Sequence, residues 1–402
     1  MTYRILSLDG GGAWALIEVR ALIALYGADK TGHQVLGDFD LVAANSGGSL
    51  VLGGLVENLP LGVILTYFED EAIRKSMFSP TQSWGDRTLH NLTGIGPKYS
   101  AENKLPAIQR LLPNRGNLSL ANAAASIRQH GSPDNVHLLM IGFDYDRNRA
   151  CFFRSATAQG PQLGRGEIAS VTLAEAIHAS TNAPLNYFDG PAIFPDGPGR
   201  YWDGGVTGCN NPVMAAVTEA IVMGQRPADI IALSLGTGTV ALPWPTAQDP
   251  TNSPYVRIIE QPGLVADLRK LATSILDDPP DIASFIAHVM TGGGAGAPAP
   301  AVSRVVRMNP LICPMGKPGQ WRAPGPAASP MTAAQFTYLT KLDMDAVEKP
   351  QVDAIAAFAD LWLNGDISNQ PLRMNGDTLE VELGYSTFQT AAAAWQKLMQ
   401  LP

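Results

Sequence analysis

Three short stretches of the chain hold residues whose type and spacing suit catalysis. Ser46 lies in Ala44-Asn45-Ser46-Gly47-Gly48, between an apolar strand-like run and a helix-like run. A strand that turns sharply into a helix strains its turn residue. Small neighbours relieve the crowding, and the hydroxyl stands exposed at the carboxyl end of the sheet, as in a nucleophile elbow. The helix starting at Gly47 would aim its free N–H groups and positive dipole end at that hydroxyl. The usual elbow is G-x-S-x-G, and here alanine stands at the first glycine. A serine in this place also serves as a plain helix cap, so the stretch alone leaves both readings open.

The second stretch is Asp9-Gly10-Gly11-Gly12, directly after an apolar run. Consecutive glycines leave backbone N–H groups unshielded, and such donors suit a phosphate or the oxyanion of an acyl-transfer intermediate. A dinucleotide fingerprint needs a sixth-position glycine where this chain has Ala15. A phosphate loop needs a lysine that is missing. A tight turn is the plainer alternative. The third stretch is Asp203-Gly204-Gly205, which sets a carboxylate at a strand end and is also a common turn signal.

Other residue types point nowhere in particular. None of His33, His90, His130, His137, His178 and His288 has a triad-like setting; His178 lies in a helix-like run and reads as packed or exposed. Cys151, Cys209 and Cys313 are far apart and odd in number, which argues against a disulfide framework or a zinc site and fits a reducing compartment.

These candidates need elements to hold them. The sequence predicts strands at "YRILSL", "FDLVAA", "VHLLMIGFDYD", "YWD" and "DIIALSL". Helices are predicted at "AWALIEVRALIALY", "GGSLVLGGLVEN", "TLAEAIHASTNAPLNYF" (halted by Pro184) and "VMAAVTEAIVMG". Residues 59–135 read as helical and irregular. Alternating strands and helices indicate βαβ units and a mainly parallel sheet. Beyond about residue 240, stretches 243–263, 291–301 and 309–330 read as loops or linkers, 291–301 as a hinge. Helices are expected at "LVADLRKLATSILDD", "EKPQVDAIAAFADLWLNG" and "FQTAAAAWQKLM", and a strand at "TLEVELGY".

The chain has 402 residues and a formal net charge of −8. That balance speaks against a general nucleic-acid binder, which needs a basic face. The first residues lack a signal pattern and no stretch reads as a membrane span, so a cytoplasmic location is expected.

Together, "SLDGGG", "FDLVAANSGG", "ASTNAPLNYF", "DGGVTGCNNP" and "LSLGTG" resemble blocks of the patatin-like phospholipase family, in the family's order, over about residues 1–240. The resemblance implies an α/β fold, a three-layer α/β/α sandwich with a mainly parallel central sheet, and C-terminal helical and irregular additions. It implies a catalytic core at 1–240 and an extension at 241–402 packing on it as a lid or regulatory lobe. It also implies a lipid acyl hydrolase without histidine: Ser46 as nucleophile, Asp203 as base, and the backbone of Gly10, Gly11 and Gly12 as oxyanion hole. No cofactor or metal is expected. The expected partner is a lipid ester met in transient, peripheral contact with a membrane surface. Trp14 and Asn45 are expected at the substrate, Leu50, Leu52 and Leu55 in the core, and Asn210 and Asn211 as shapers of the loop after Asp203. Acyl transfer and non-catalytic lipid binding by the same fold are the alternatives. The sequence departs from the family at Trp14 and Ala15, where an arginine and a glycine are usual, and this puts head-group preference in doubt.

Overall fold

The computed structural model describes residues 2–81, 96–132, 134–155, 171–195, 199–248, 253–259, 261–263, 267, 270, 282–294, 303–324 and 331–401. His90, most of the expected helix at 264–278 and the stretches 295–302 and 325–330 lie outside them.

Strand β1 (Tyr3–Leu8) is the apolar run before the glycines, and only Arg4 within it is not fully buried. A strand buried on both faces belongs inside a parallel sheet with helices on each side. It pairs in parallel with β2 (Leu41–Ala44) and with β7 (Ile230–Leu235). The eight-stranded sheet runs β5-β6-β3-β2-β1-β7-β9, with β4 also paired to β3. Here β3 is His137–Asp144, β4 Arg149–Arg154, β5 Ala192–Ile193, β6 Arg200–Asp203 and β9 Val305–Met308. The pairings from β3 through β9 are parallel, while β4, β5 and β6 are antiparallel additions. The sheet is therefore mixed, and mostly parallel where it is most buried.

Helices cover both faces. Leu6 and Leu8 of β1 face a large apolar cluster with α1 (Leu16–Tyr26), α2 (Gly32–Leu36), α3 (Ser46–Val56), α4 (Leu61–Glu69) and α5 (Glu71–Met77). The same cluster takes in α6 (Lys104–Leu111), α7 (Leu120–Ala125) and α8 (Leu173–Ser180). Tyr3 and Ile5 point the other way, onto α9 (Val213–Val222) and residues 283 and 287.

The chain beyond residue 240 contributes to the same core. Strand β9 extends the main sheet beside β7, with Ala232 opposite Val305. Helices α10 (Ala333–Leu339), α11 (Lys349–Asn364) and α12 (Phe388–Leu398) supply Phe336, Phe358, Trp362 and Trp395 to the larger cluster. Helix α11 ends at Gly365, whose φ of 87° makes the left-handed stop. Two readings change in this region. Within 309–330, Leu311–Ile312 form the short strand β10, paired with β8 (Thr239–Val240). The expected strand at "TLEVELGY" is β12 (Val381–Leu383), which pairs only with β11 (Arg373–Met374), away from the main sheet. Its sequence is too polar to be buried on both faces.

The register of β3 brings the candidate residues together. One edge of β3 is taken by β4. The other is shared: β2 occupies His137–Met140 and β6 occupies Gly142–Asp144. Strand β2 is parallel to β3 and β6 antiparallel, so they run toward each other. Ala44 ends beside Met140 and Asp203 ends beside Gly142. The two turns that follow must meet over Ile141.

The end of β1 and the glycine loop leave no room for side chains at positions 47 and 48 of α3. A Cβ at Gly48 would lie 2.6 Å from the carbonyl oxygens of Leu8 and Asp9, and one at Gly47 would lie 2.6 Å from that of Gly12. Gly48→Ala is expected to cost on the order of 1–3 kcal/mol of stability through overpacking against backbone, read as a lowered midpoint in urea denaturation.

Candidate functional site

Ser46 adopts φ 46°, in the left-handed region, and is among the few non-glycine residues that do so. Such a conformation costs on the order of 1–3 kcal/mol and persists only where the surroundings impose it. Here they do. The preceding residue, Asn45, is extended at φ −132° and ψ 148°, and α3 begins at Ser46 itself. The sharp strand-to-helix turn is thus an elbow, with alanine tolerated at its first position because Ala44 is fully buried strand.

The Ser46 side chain interacts with the Asp203 carboxylate and opposes the rise of its pKa. Asp203 is 4% exposed. Its Oδ1 also accepts from the Gly205 N–H at 2.7 Å and from Asn45 Nδ2 at 3.3 Å. Burial raises its pKa above the ordinary carboxylate value. The hydrogen bonds from Ser46 and Gly205, the charge of Lys104 and the bond from Asn45 oppose that rise in this order.

The backbone donors near Ser46 divide into used and open. The Gly10 N–H donates to the Asn210 carbonyl at 2.8 Å, and the Ala13 N–H to the Met344 carbonyl at 2.9 Å. The Ser46 N–H donates to Ser180 Oγ at 3.0 Å. Among the described residues, those of Gly11, Gly12 and Gly47 donate no hydrogen bond. The expected oxyanion loop is therefore corrected at Gly10. Its N–H is engaged because Asn210 returns over it, the Asn210 Nδ2 donating in turn to the Gly10 carbonyl at 3.3 Å.

Beneath the loop lies a buried charge cluster that the sequence did not reveal. Arg307 of β9 pairs with Asp9 at 2.6 Å, with side chains 2% and 4% exposed. It also donates to Ser234 Oγ at 2.9 Å and Gln370 Oε1 at 3.2 Å. Glu18 of α1 accepts the Asp9 N–H at 2.5 Å. Burial, and then the charge of Asp9, push Glu18 well above the usual carboxylate range. A neutral Glu18 leaves Asp9 and Arg307 as a balanced pair.

Beside Ser46 opens a cleft that is continuous with solvent. Its lining is mainly apolar, with Leu50, Phe68, Met77, Phe78 and Phe188, and its polar groups include Lys104 and Thr181. Leu50 therefore faces the cleft, whereas Leu52 and Leu55 are fully buried core. Met344 closes one side, on a segment whose Asp345 takes Lys98 at 2.9 Å and Tyr99 at 2.7 Å.

Two expected substrate contacts fall elsewhere. Trp14 turns into the core: its indole N–H donates to the Asp343 carbonyl at 3.2 Å and its ring meets Phe358 edge-on. It is absent from the cleft lining. Asn45 is wholly buried and acts as a bracket, its Nδ2 reaching Asp203 and Asn210 and its Oδ1 accepting from Ser180. Asn211 shapes the following loop, its Oδ1 accepting the Val213 N–H at 3.1 Å. His178 is packed in α8; burial and then the charge of Lys104 push it down to about 3. Among the described residues, no cluster of three or more His, Cys, Asp or Glu is placed to hold a metal ion.

The model for patatin-like phospholipases matches residues 6–217, more than half of the chain. The chain belongs to the patatin-like phospholipase family. Family membership implies lipid acyl hydrolase activity. No curated protein matches the sequence. Among solved structures, VipD from Legionella pneumophila matches at 11% identity with a TM-score of 0.35, covering 89% of this chain and 67% of that one. Human GIVD cytosolic phospholipase A2, solved with methyl γ-linolenyl fluorophosphonate, matches at 12% identity and a TM-score of 0.41, covering 99% of this chain and 60% of that one. The type III effector protein ExoU matches at 12% identity and a TM-score of 0.23, covering 72% and 53%. Among the described residues of this patatin-like chain, no helix is long and apolar enough to cross a membrane.

The loop of this patatin-like site hangs on Arg307. Arg307→Met is expected to lower stability by about 3–5 kcal/mol, because Asp9 is left buried without its partner. Urea unfolding followed by circular dichroism measures it.

Proposed function

We propose that the protein hydrolyses carboxylic esters of acyl lipids, phospholipids among them, through an acyl-enzyme at Ser46. The observation that carries this reading is Ser46, on a strained elbow, interacting with the buried Asp203 carboxylate with no histidine between them. Ser46 Oγ attacks the ester carbonyl carbon while its proton passes to Asp203. The carbonyl oxygen becomes an oxyanion, and the open N–H groups of Gly11, Gly12 and Gly47 are the donors available to it. Collapse breaks the bond to the alcohol, which takes the proton from Asp203. Water then attacks the acyl ester with Asp203 again as base, and releases the fatty acid. The apolar cleft beside Ser46 is where the acyl chain would lie.

Burial serves this cycle. An Asp near its ordinary pKa of about 3.9 is a weak base at neutral pH, and a raised value makes it a better acceptor.

The test compares wild type, Ser46→Ala and Asp203→Asn for release of a chromophore from medium-chain acyl esters, with folding checked by circular dichroism. Ser46→Ala is expected to fall to background, and Asp203→Asn to lose about 10²–10⁴ in rate. Retained activity in folded Ser46→Ala removes the nucleophile; retained activity in Asp203→Asn alone removes the base. A pH series on wild type gives an independent readout. Asp203 must be ionised to act, so activity falls as pH drops through its raised value. The acidic limb of kcat/KM is expected above the ordinary aspartate range, and a limb below that range contradicts a buried base.

A further inference from the structure

Lys104 enters the site from the first turn of α6, and nothing in its sequence setting distinguishes it from a surface lysine. It is 2% exposed. Its Nζ donates to the Thr181 carbonyl and lies 3.8 Å from the centroid of the Phe188 ring. Among the described residues it makes no ion pair. Burying an ammonium with one carbonyl and one aromatic face for company is costly unless a negative charge is near. Asp203 is the anion whose field reaches it.

The backbone ties the two groups to one place. Thr181 gives its carbonyl to Lys104, and the next residue, Asn182, accepts the Asp203 N–H at 3.0 Å. Lysine and aspartate are therefore fixed on consecutive peptide units past the end of α8. Lys104 and Thr181 line the same cleft as Ser46.

We propose that Lys104 is a positioning residue for the dyad, its buried ammonium keeping Asp203 a carboxylate in the resting site. This rests on the Ser46–Asp203 reading above. The remaining titratable groups around the pair do not compete for the role. His178 on α8 is held neutral by burial and by Lys104 itself. Tyr67 on α4 and Tyr187 beside the cleft are pushed up by burial and stay neutral. Arg74 on α5 is committed to the carbonyls of Phe68 and Val347. Burial pushes Lys104 down and Asp203 up, and the attraction between them opposes both movements.

The experiment is the pH profile of kcat/KM on a medium-chain acyl ester for Lys104→Met, Lys104→Gln and Lys104→Arg, each checked for folding. Met fills similar space without charge; Gln does so with a polar end, in case Met fails to fold. Loss of a nearby opposite charge moves a carboxylate by about 1–3 units. Both neutral variants are expected to shift the acidic limb up by that amount and to recover to within about tenfold of wild type on the alkaline plateau. Lys104→Arg is expected to keep the limb near its wild-type position. A lysine that merely packs Phe188 would lower the rate equally at every pH, and an unmoved limb in a folded neutral variant overturns the proposal. Full activity in Asp203→Asn would instead remove the dyad itself, whatever Lys104 does.

Discussion

Two strands running head-on along one edge of β3 set the terms for everything around Ser46. Because β2 stops beside Met140 and β6 stops beside Gly142, their turns compete for the space over Ile141. Their close approach goes with the left-handed conformation of Ser46 and the burial of Asp203, while the backbone of Leu8, Asp9 and Gly12 excludes side chains at positions 47 and 48. The placement of Ser46 beside Asp203, and the burial that raises that carboxylate's pKa, thus follow from one pairing register. Ser180, which holds the Ser46 N–H, Ser49 and Asn45 together, locks the arrangement from the end of α8.

Charge is handled differently on the two sides of the serine. Under the glycine loop, Asp9 has a partner in direct contact, and Arg307 is satisfied by two further neighbours, Ser234 and Gln370. Behind the dyad, Asp203 has only hydrogen bonds, and the nearest cation is held one peptide unit away. The first arrangement suits a scaffold that should not titrate. The second leaves a carboxylate able to take and return a proton. The arginine usual after the glycine cluster is replaced by Trp14, whose indole braces the Asp343 segment instead.

What could be read from the sequence follows from what backbone geometry demands of residue type. Ser46, Gly47 and Gly48 were visible because a tight elbow tolerates little else, and Asp203 because it closes a short strand before glycines. The parallel core was visible because doubly buried strands leave long apolar runs. Gly10, whose N–H is already engaged, looks like its neighbours in sequence and differs through the return of Asn210. Lys104, Ser180 and Arg307 were invisible for the same reason: each acts across the fold, and a buried lysine on α6 is written like an exposed one. Trp14 and Asn45 turn into packed surroundings rather than the cleft, since proximity in sequence to a loop does not fix which way a side chain turns. Strand β9 escaped notice because four residues between irregular stretches carry too little pattern.

The pair between Asp9 and Arg307 joins residues 298 positions apart. A chain made from its amino end therefore exposes the glycine loop and the elbow long before it has the cation that balances them. Through most of synthesis Asp9 lacks its partner, and the slot beside β7 has no strand. The loop over Ser46 gains its anchor only after the ribosome has passed residue 307. The balanced surroundings of Ser46 thus arrive late, as a property of the nearly finished chain rather than of the segment that carries the serine.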